Sequence, residues 1–371
     1  MSIAPRRDAR DETIAIVSSA AQFGGAELSL LALCDVLHRR VPLRLLASAH
    51  GPEELYRRAA RIGVAVDPIG GLARRPSPLA VLRLIRALRR ARPALVHLNL
   101  SDQGDGLVGL LAARALRIPV TATLRLVLPE RRRALERLSH AALSRAGEVI
   151  AVSDSVAQYL AGASIDSTTV YNGIDPVPPT PSPRALLGLE PDAFVVGGIG
   201  RLDVQKGWDV LCAAAALVRR RLPQARFVIV GDGPQRGALE EPAAAAGVEL
   251  VGYREQAGGL VPAFDVFAVP SRYEGFGRVA VEAMLGAVPV VACSAGGLRE
   301  VVGDSGLLVP VDDPGALADA ILSLAENPGL RAELGRRGAE RARTCFGRQR
   351  MAEETLAVWR RVLGGSGAAS L

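Results

Sequence analysis

The sequence predicts an α/β protein made of two parallel sheets covered by helices, and three observations predict it. Short β-branched or aliphatic runs alternate with longer amphipathic stretches along nearly all of the 371 residues, which is the pattern of strands joined by crossover helices. The alternation breaks once, at Asn172-Gly173 and the proline-dense PVPPTPSP that follows, a segment suited to neither a helix interior nor a central strand. With 49% hydrophobic and 22% charged residues the chain is long and apolar enough for more than one core.

In the first half the strand candidates are Ile14–Ser18, Leu43–Ala49, Val64–Ile69, Leu95–Leu98, Val120–Leu124, Val149–Val152 and Thr169–Tyr171, with helical stretches between them. After the break the pattern resumes with Phe194–Ile199, Phe227–Val230, Glu249–Gly252, Val266–Val269, Val288–Ala292 and Leu307–Val309. Helices are predicted over Ala316–Ala325, Pro328–Arg343 and, carrying Trp359, Met351–Leu363. The boundaries that follow are a Rossmann-like domain over 1–175, a linker over 176–190, a second Rossmann-like domain over 191–349 and a final helical stretch over 350–371. Open parallel sheets bind ligands beyond the carboxyl ends of their strands, so two in tandem are expected to face each other across a cleft.

Composition narrows the function. The polar, charged start MSIAPRRDARDE and the lack of any apolar run near 20 residues predict a cytoplasmic protein without a membrane span. Cys34, Cys212, Cys293 and Cys345 stand far apart, which suits a reducing compartment and buried thiols better than disulfides. Neither they nor His38, His50, His97 and His140 have metal-ligand spacing, so no metal or other cofactor is expected. Charge is uneven: residues 1–185 hold 25 Arg against 16 acids, while the remainder holds 20 basic residues against 22 acids. The excess gathers in Leu79–Arg92, with Arg83, Arg86, Arg89 and Arg90 beside Leu82, Leu84, Ile85 and Leu88, and in Arg131–Arg137. Such faces suit either an anionic membrane surface or plain solvation. Aromatics at 4% and no nucleic-acid motif argue against nucleic acid as a partner.

Three segments carry the chemistry. In SRYEGFGRVAVEAMLGAVPVVACSAGGLREVV, a strand ends at Pro270 and a loop with Glu274, Gly275, Phe276 and Gly277 leads into a helix bearing Glu282. Unpaired amides of Gly277, Arg278 and Val279 at such a helix start suit a phosphate. The two carboxylates, about two turns apart, meet different parts of one ligand. In GIGRLDVQKG, immediately after a strand, Gly200 and its neighbours permit a tight turn, while Arg201 and Lys206 supply cations for a diphosphate. Lys206 is the only lysine among the 45 basic residues. In AAQFGGAE, Gly24 and Gly25 allow close approach of a ligand, and Glu27 falls in the first helical turn, where an acid also simply favours the dipole.

These segments, with VIVGDGP, VGY, AVSDSVAQYL and YNGID between or around them, resemble glycosyltransferase family 4, retaining enzymes of GT-B architecture, in order and spacing from about Ala15 to Ala342. The resemblance implies a nucleotide-sugar donor and a glycan or lipid-linked acceptor, with a role in bacterial cell-envelope glycan or glycolipid synthesis. It implies Glu274 at the donor sugar, Glu282 at the ribose, Arg201 and Lys206 at the diphosphate, amides of Gly277 to Val279 at the phosphates, and the backbone of Gly252 and Tyr253 at the base. It also implies that Gly25 approaches the diphosphate and sugar and that the final helix returns to the first domain. Retention is expected by same-face attack, without a metal.

One departure concerns Arg125, in PVTATLR, where relatives often carry a His that touches the donor sugar; an arginine can hydrogen-bond there but cannot shed its charge. His97, in LVHLNL, is read either as lining the cleft or as a satisfied core histidine, and Asn99, Ser101 and Asp102 after it as candidate acceptor contacts. A dehydrogenase is disfavoured, because neither GIGRLD nor GDGPQR completes G-x-G-x-x-G: Asp203 and Arg236 occupy the third glycine positions. A nucleotide-sugar hydrolase or epimerase and a non-catalytic binding protein remain as alternatives.

Overall fold

The computed structural model describes residues 13–72, 77–128, 140–141 and 143–365. The basic stretch expected at 131–137 and the last residues of the expected final helix lie outside the described residues. The chain forms two compact units, Met1–Gly173 with Arg348–Leu371, and Ile174–Gly347.

The first unit holds strands β1 (Ile14–Ser18), β2 (Leu43–Ser48), β3 (Ala65–Ile69), β4 (Leu95–Leu100), β5 (Val120–Leu124), β6 (Glu148–Ala151) and β7 (Ser167–Thr169). Its helices are α1 (Gly25–Leu37), α2 (Glu53–Arg61), α3 (Pro78–Ala91), α4 (Leu107–Ala115) and α5 (Asp154–Gly162). The strands pair in parallel in the order β3-β2-β1-β4-β5-β6-β7. Because β1 lies between β2 and β4, the chain winds outward in both directions from the β1/β4 boundary. That boundary is the switch point at which open sheets leave a crevice at their carboxyl edge. β1 is buried throughout, as continuous apolar runs in doubly covered sheets are.

The second unit holds β8 (Val195–Ile199), β9 (Arg226–Val230), β10 (Val248–Gly252), β11 (Val266–Val269), β12 (Val290–Cys293) and β13 (Leu307–Val309), ordered β10-β9-β8-β11-β12-β13 and all parallel. Its helices are α6 (Pro183–Leu186), α7 (Trp208–Arg221), α8 (Arg236–Ala246), α9 (Arg278–Leu285), α10 (Leu298–Val302), α11 (Pro314–Glu326) and α12 (Pro328–Cys345). The switch point here lies between β8 and β11. The loops GRLDVQKG and SRYEGFG leave these two adjacent strands at that edge.

The last helix, α13 (Arg348–Gly365), belongs to the first unit. Met351, Ala352, Leu356, Val358, Trp359 and Leu363 join the cluster formed by Ile14, Ile16, Leu30, Leu33, Leu37 and Leu45.

Several expectations are corrected. The proline-dense segment is no free linker but is stitched to the second unit. Thr180 N donates to Gly259 O at 2.9 Å, Pro183 starts a short helix, and Arg184 pairs with Asp265 at 2.8 Å. β4 runs to Leu100, since Asn99 and Leu100 still pair with Thr123 and Leu124. β7 ends at Thr169, and Tyr171 has left the sheet to donate to Asp154 and lie beneath Arg350. In α3 the apolar stripe faces inward, with Ala80, Leu84 and Leu88 buried; Leu79 and Leu82 remain exposed beside the arginines. Cys34, Cys212 and Cys293 are buried as expected, whereas Cys345 is partly exposed.

Candidate functional site

In the second unit, close backbone packing builds the site. A Cβ on Gly198 would lie 2.6 Å from the Trp208 ring, and the indole Nε1 donates to Arg201 O at 2.9 Å, so the β8 loop is folded around a buried tryptophan. Asp203 caps the single turn at Val204–Lys206. Gly207, at φ +64°, brings that loop against the next, because a Cβ there would be 2.1 Å from Pro270 O. Arg272 N donates to Gln205 O at 2.8 Å and Gln205 Nε2 to Tyr273 O at 3.0 Å.

This seam brings Lys206 to Glu274. Lys206 Nζ donates to Glu274 Oε1, and Ser271 Oγ donates to the same oxygen at 3.0 Å. The Glu274 side chain is 9% exposed and the Lys206 side chain 20%. From the other side Gly297 N donates to Glu274 O at 3.1 Å, and Gly296, at φ +49°, would place a Cβ 2.1 Å from that carbonyl. Gly277, at φ +97°, heads α9. The first-turn amides of α9, with no partner inside their helix, thus begin three residues after Glu274.

The other expected residues divide. Arg201 points outward and pairs with Asp203, its side chain 54% exposed, rather than being fixed alongside Lys206. Arg278 lies four residues before Glu282 and reaches it at 3.5 Å. Burial raises the Glu282 carboxyl, opposed by the Arg278 charge. Phe276 is a core residue, stacked edge-on to Phe346 at 5.4 Å, and Gly275 is buried. Gly252, at φ +82°, accepts from Gly231 N at 2.9 Å, and Tyr253 after it is 71% exposed. Val279 is half-buried, and Gly200 packs against Trp208.

In the first unit the carboxyl edge is a buried polar cluster. Gly24 caps α1 and donates to Glu27 Oε2 at 3.1 Å; Gly25 begins the helix. Glu27 is 3% exposed, and burial raises its carboxyl to about 7, against the Arg125 charge and with help from Asp105. Arg125 is also buried, its Nε donating to Asn99 Oδ1 at 3.0 Å and its Nη1 to Asn172 Oδ1. Asp102 is buried and accepts from Gly104 N at 2.9 Å.

His97 is a core histidine and is no acceptor contact. It is fully buried, bonded to Thr121 and Thr123, and burial lowers it to about 3, so it stays neutral. Trp359 Nε1, a donor only, reaches its Nδ1 at 3.2 Å, so the proton sits on Nε2.

Among the residues that hold these sites, Gly296 and Gly297 had a sequence signal, a glycine pair just after a strand. Asn172 reads only as a turn residue, and nothing in spacing singles out Ser18, Asp105 or Ser271.

Comparison with known proteins fits this geometry. The family profile Glycosyltransferase Family 4 matches residues 23–177 and that of Glycosyl transferases group 1 matches residues 193–327. The D-inositol 3-phosphate glycosyltransferase of Kribbella flavida is 31% identical over 340 residues, 80% of each protein. That of Saccharomonospora viridis is 38% identical over 197 residues, which span 48% of this chain and 46% of that relative. Anabaena Alr3699/HepE, solved in complex with UDP-glucose, superposes with a TM-score of 0.82 at 27% identity, covering 93% of this chain and 99% of that one. With two parallel sheets, paired switch-point loops and matched family segments in both units, the chain belongs to the family 4, group 1 glycosyltransferases of GT-B fold.

Proposed function

We propose that this glycosyltransferase takes a sugar from a nucleoside diphosphate sugar, with a UDP-sugar as the first donor to test, and transfers it with retention of anomeric configuration. The observation that carries this reading is the Lys206–Glu274 pair, held by Ser271 and two glycine contacts at the mouth of α9. Fixed charges of both signs at one point suit a reaction in which the leaving phosphate gains negative charge and the sugar gains oxocarbenium character. Lys206 and the amides of Gly277 to Val279 take the diphosphate, and Arg201 joins them only on leaving its partner Asp203; Glu274 takes the sugar, Glu282 the ribose, and Gly252 with Tyr253 the base. The anomeric carbon–oxygen bond breaks as the acceptor oxygen attacks on the same face, and the departing phosphate oxygen takes the acceptor's proton. The cationic groups meet the leaving charge, so EDTA is expected to leave the rate unchanged.

Lys206→Ala is expected to weaken UDP binding by about tenfold or more, as loss of a charge-assisted contact does; isothermal calorimetry measures it, and unchanged affinity would remove Lys206 from the site. The anomeric configuration of product formed from UDP-glucose, read by proton NMR, tests retention. Free glucose as the sole product would favour a hydrolase.

The acceptor we propose is an envelope glycan or glycolipid at a membrane surface. Exposed Leu79 and Leu82 lie beside Arg83, Arg86, Arg89 and Arg90 on α3, an arrangement suited to anionic headgroups. Among the described residues no helix is long and apolar enough to cross a membrane, and the contact proposed is through this surface. Co-sedimentation with phosphatidylglycerol vesicles at low salt, lost at high salt, is the expected result.

A further inference from the structure

Each of the two cations expected at the diphosphate is matched with a carboxylate inside the second unit. Lys206 pairs with Glu274, and Arg201 pairs with Asp203. Glu274 goes to the donor sugar, which leaves the Asp203 carboxylate unexplained. Asp203 and a diphosphate are both anions that a guanidinium binds well, so they compete for Arg201.

The backbone that carries the pair is pinned on several sides. Gly200 N donates to Val230 O and Leu202 N to Asp232 O, each at 3.0 Å, which ties the segment to the end of β9 and the residues after it. Leu202 is fully buried, and its carbonyl accepts from Gln235 N at 2.9 Å. Arg201 O is held twice, by Asp203 N at 3.0 Å and by the Trp208 indole at 2.9 Å. With this backbone fixed, Arg201 changes partners only by rotating its side chain. That side chain is long and 54% exposed, so rotation costs little packing, whereas the Asp203 side chain is 13% exposed and keeps its place.

Asp203 can release its partner without being left bare. Its Oδ2 is the atom that meets Arg201, while its Oδ1 accepts from Lys206 N at 3.3 Å and its carbonyl accepts from the same amide at 3.1 Å. An ion pair this exposed shifts an equilibrium by about fivefold or less, weak enough for a doubly charged diphosphate to displace it. The displacement still subtracts from what Arg201 contributes, because its contact with phosphate forms by exchange rather than by addition.

We propose that Asp203 is a latch on Arg201. In the empty enzyme it holds the guanidinium; the diphosphate of an entering donor draws the guanidinium away, and Asp203 takes it back as the nucleoside diphosphate leaves. This role rests on the diphosphate reading above and names the residue that sets how tightly the diphosphate is held. Asp203 acts on the diphosphate alone, so it weakens donor and product by the same factor and speeds release of the product.

The test compares the full chain with Asp203→Asn and Asp203→Ser, which keep a capping oxygen for Lys206 N but carry no charge, each with and without Arg201→Ala. Calorimetry is run with UDP, UDP-glucose and inorganic pyrophosphate. Both Asp203 variants are expected to bind all three about fivefold more tightly than the parent, with the ratio of UDP-glucose to UDP affinity unchanged. In the Arg201→Ala background the same substitutions are expected to gain less than about twofold, because no guanidinium is left to release. An equal gain in both backgrounds would mean that Asp203 merely repels phosphate, and unchanged or weaker binding in both Asp203 variants would mean that it does not compete for Arg201; either result overturns the latch. Asp209→Asn removes a carboxylate that pairs with Arg272 from the first turn of α7 and serves as the control. Tightening as large as that of the Asp203 variants would trace the effect to net charge and also overturn the latch. Pyrophosphate bound more tightly by the Asp203 variants, with UDP bound by none, would leave the latch standing and remove the nucleotide donor. A parent that binds neither removes both.

Discussion

Glu27 shows how one side chain's environment sets its chemistry. Its carboxyl, at an ordinary 4.5 in the unfolded chain, is raised to about 7 chiefly by burial. Below about 4.5 the group is neutral in both states and contributes nothing to pH dependence. As pH rises from there to 7 the unfolded chain ionises while the folded one resists, so stability falls; above 7 the penalty is constant, at most about 3 kcal/mol. Glu27→Gln is therefore expected to melt with the parent near pH 4 and above it at pH 8, as thermal melts across that range will show. Equal melting temperatures at pH 8 would mean that the carboxyl ionises in the fold at little cost. His97 titrates outside this window, because burial holds it near 3.

Between elements, the geometry around Lys206 and Glu274 is made by glycines where two loops touch, more than by the charged residues themselves. Gly296→Ala would combine a left-handed backbone with a Cβ 2.1 Å from the Glu274 carbonyl, so that carbonyl must move and carry its side chain away from Lys206 and Ser271. UDP-glucose affinity is expected to fall by ~10-fold or more. Gly237→Ala is the control. Gly237 sits inside α8, where a Cβ would meet nothing within 4 Å, and helix propensity there favours alanine by about 0.5–1 kcal/mol. Calorimetry on both variants should separate them; similar affinities would mean that the Gly296 contact does not position Glu274.

Over the full length of the chain, the last helix completes the first unit. Met351, Ala352, Leu356, Val358, Trp359 and Leu363 are at most 3% exposed within a cluster that includes β1 and α1. Their burial is worth roughly 10 kcal/mol at about 1.5–3 kcal/mol per large side chain, comparable to the entire stability of a domain. A chain ending at Gly347 is expected to lose the structure of the first unit, and hydrogen exchange should show its amides unprotected while β8 to β12 stay protected. Full protection of β1 and β4 would refute this. The two-sheet fold, most of its strands and the loops that carry Glu274, Lys206 and Glu27 were legible in the residues alone, because hydrophobic period and glycine placement are local properties. Other outcomes came only with the folded chain: Lys206 meets Glu274 while Arg201 turns to Asp203, His97 is core, and Asn99 and Asn172 hold Arg125. Apart from the turn of Arg201 to nearby Asp203, they depend on which elements become neighbours, and the partners Asn99 and Arg125, Arg125 and Asn172, and Lys206 and Glu274, which stand 26, 47 and 68 positions apart, leave no periodic trace of their contact.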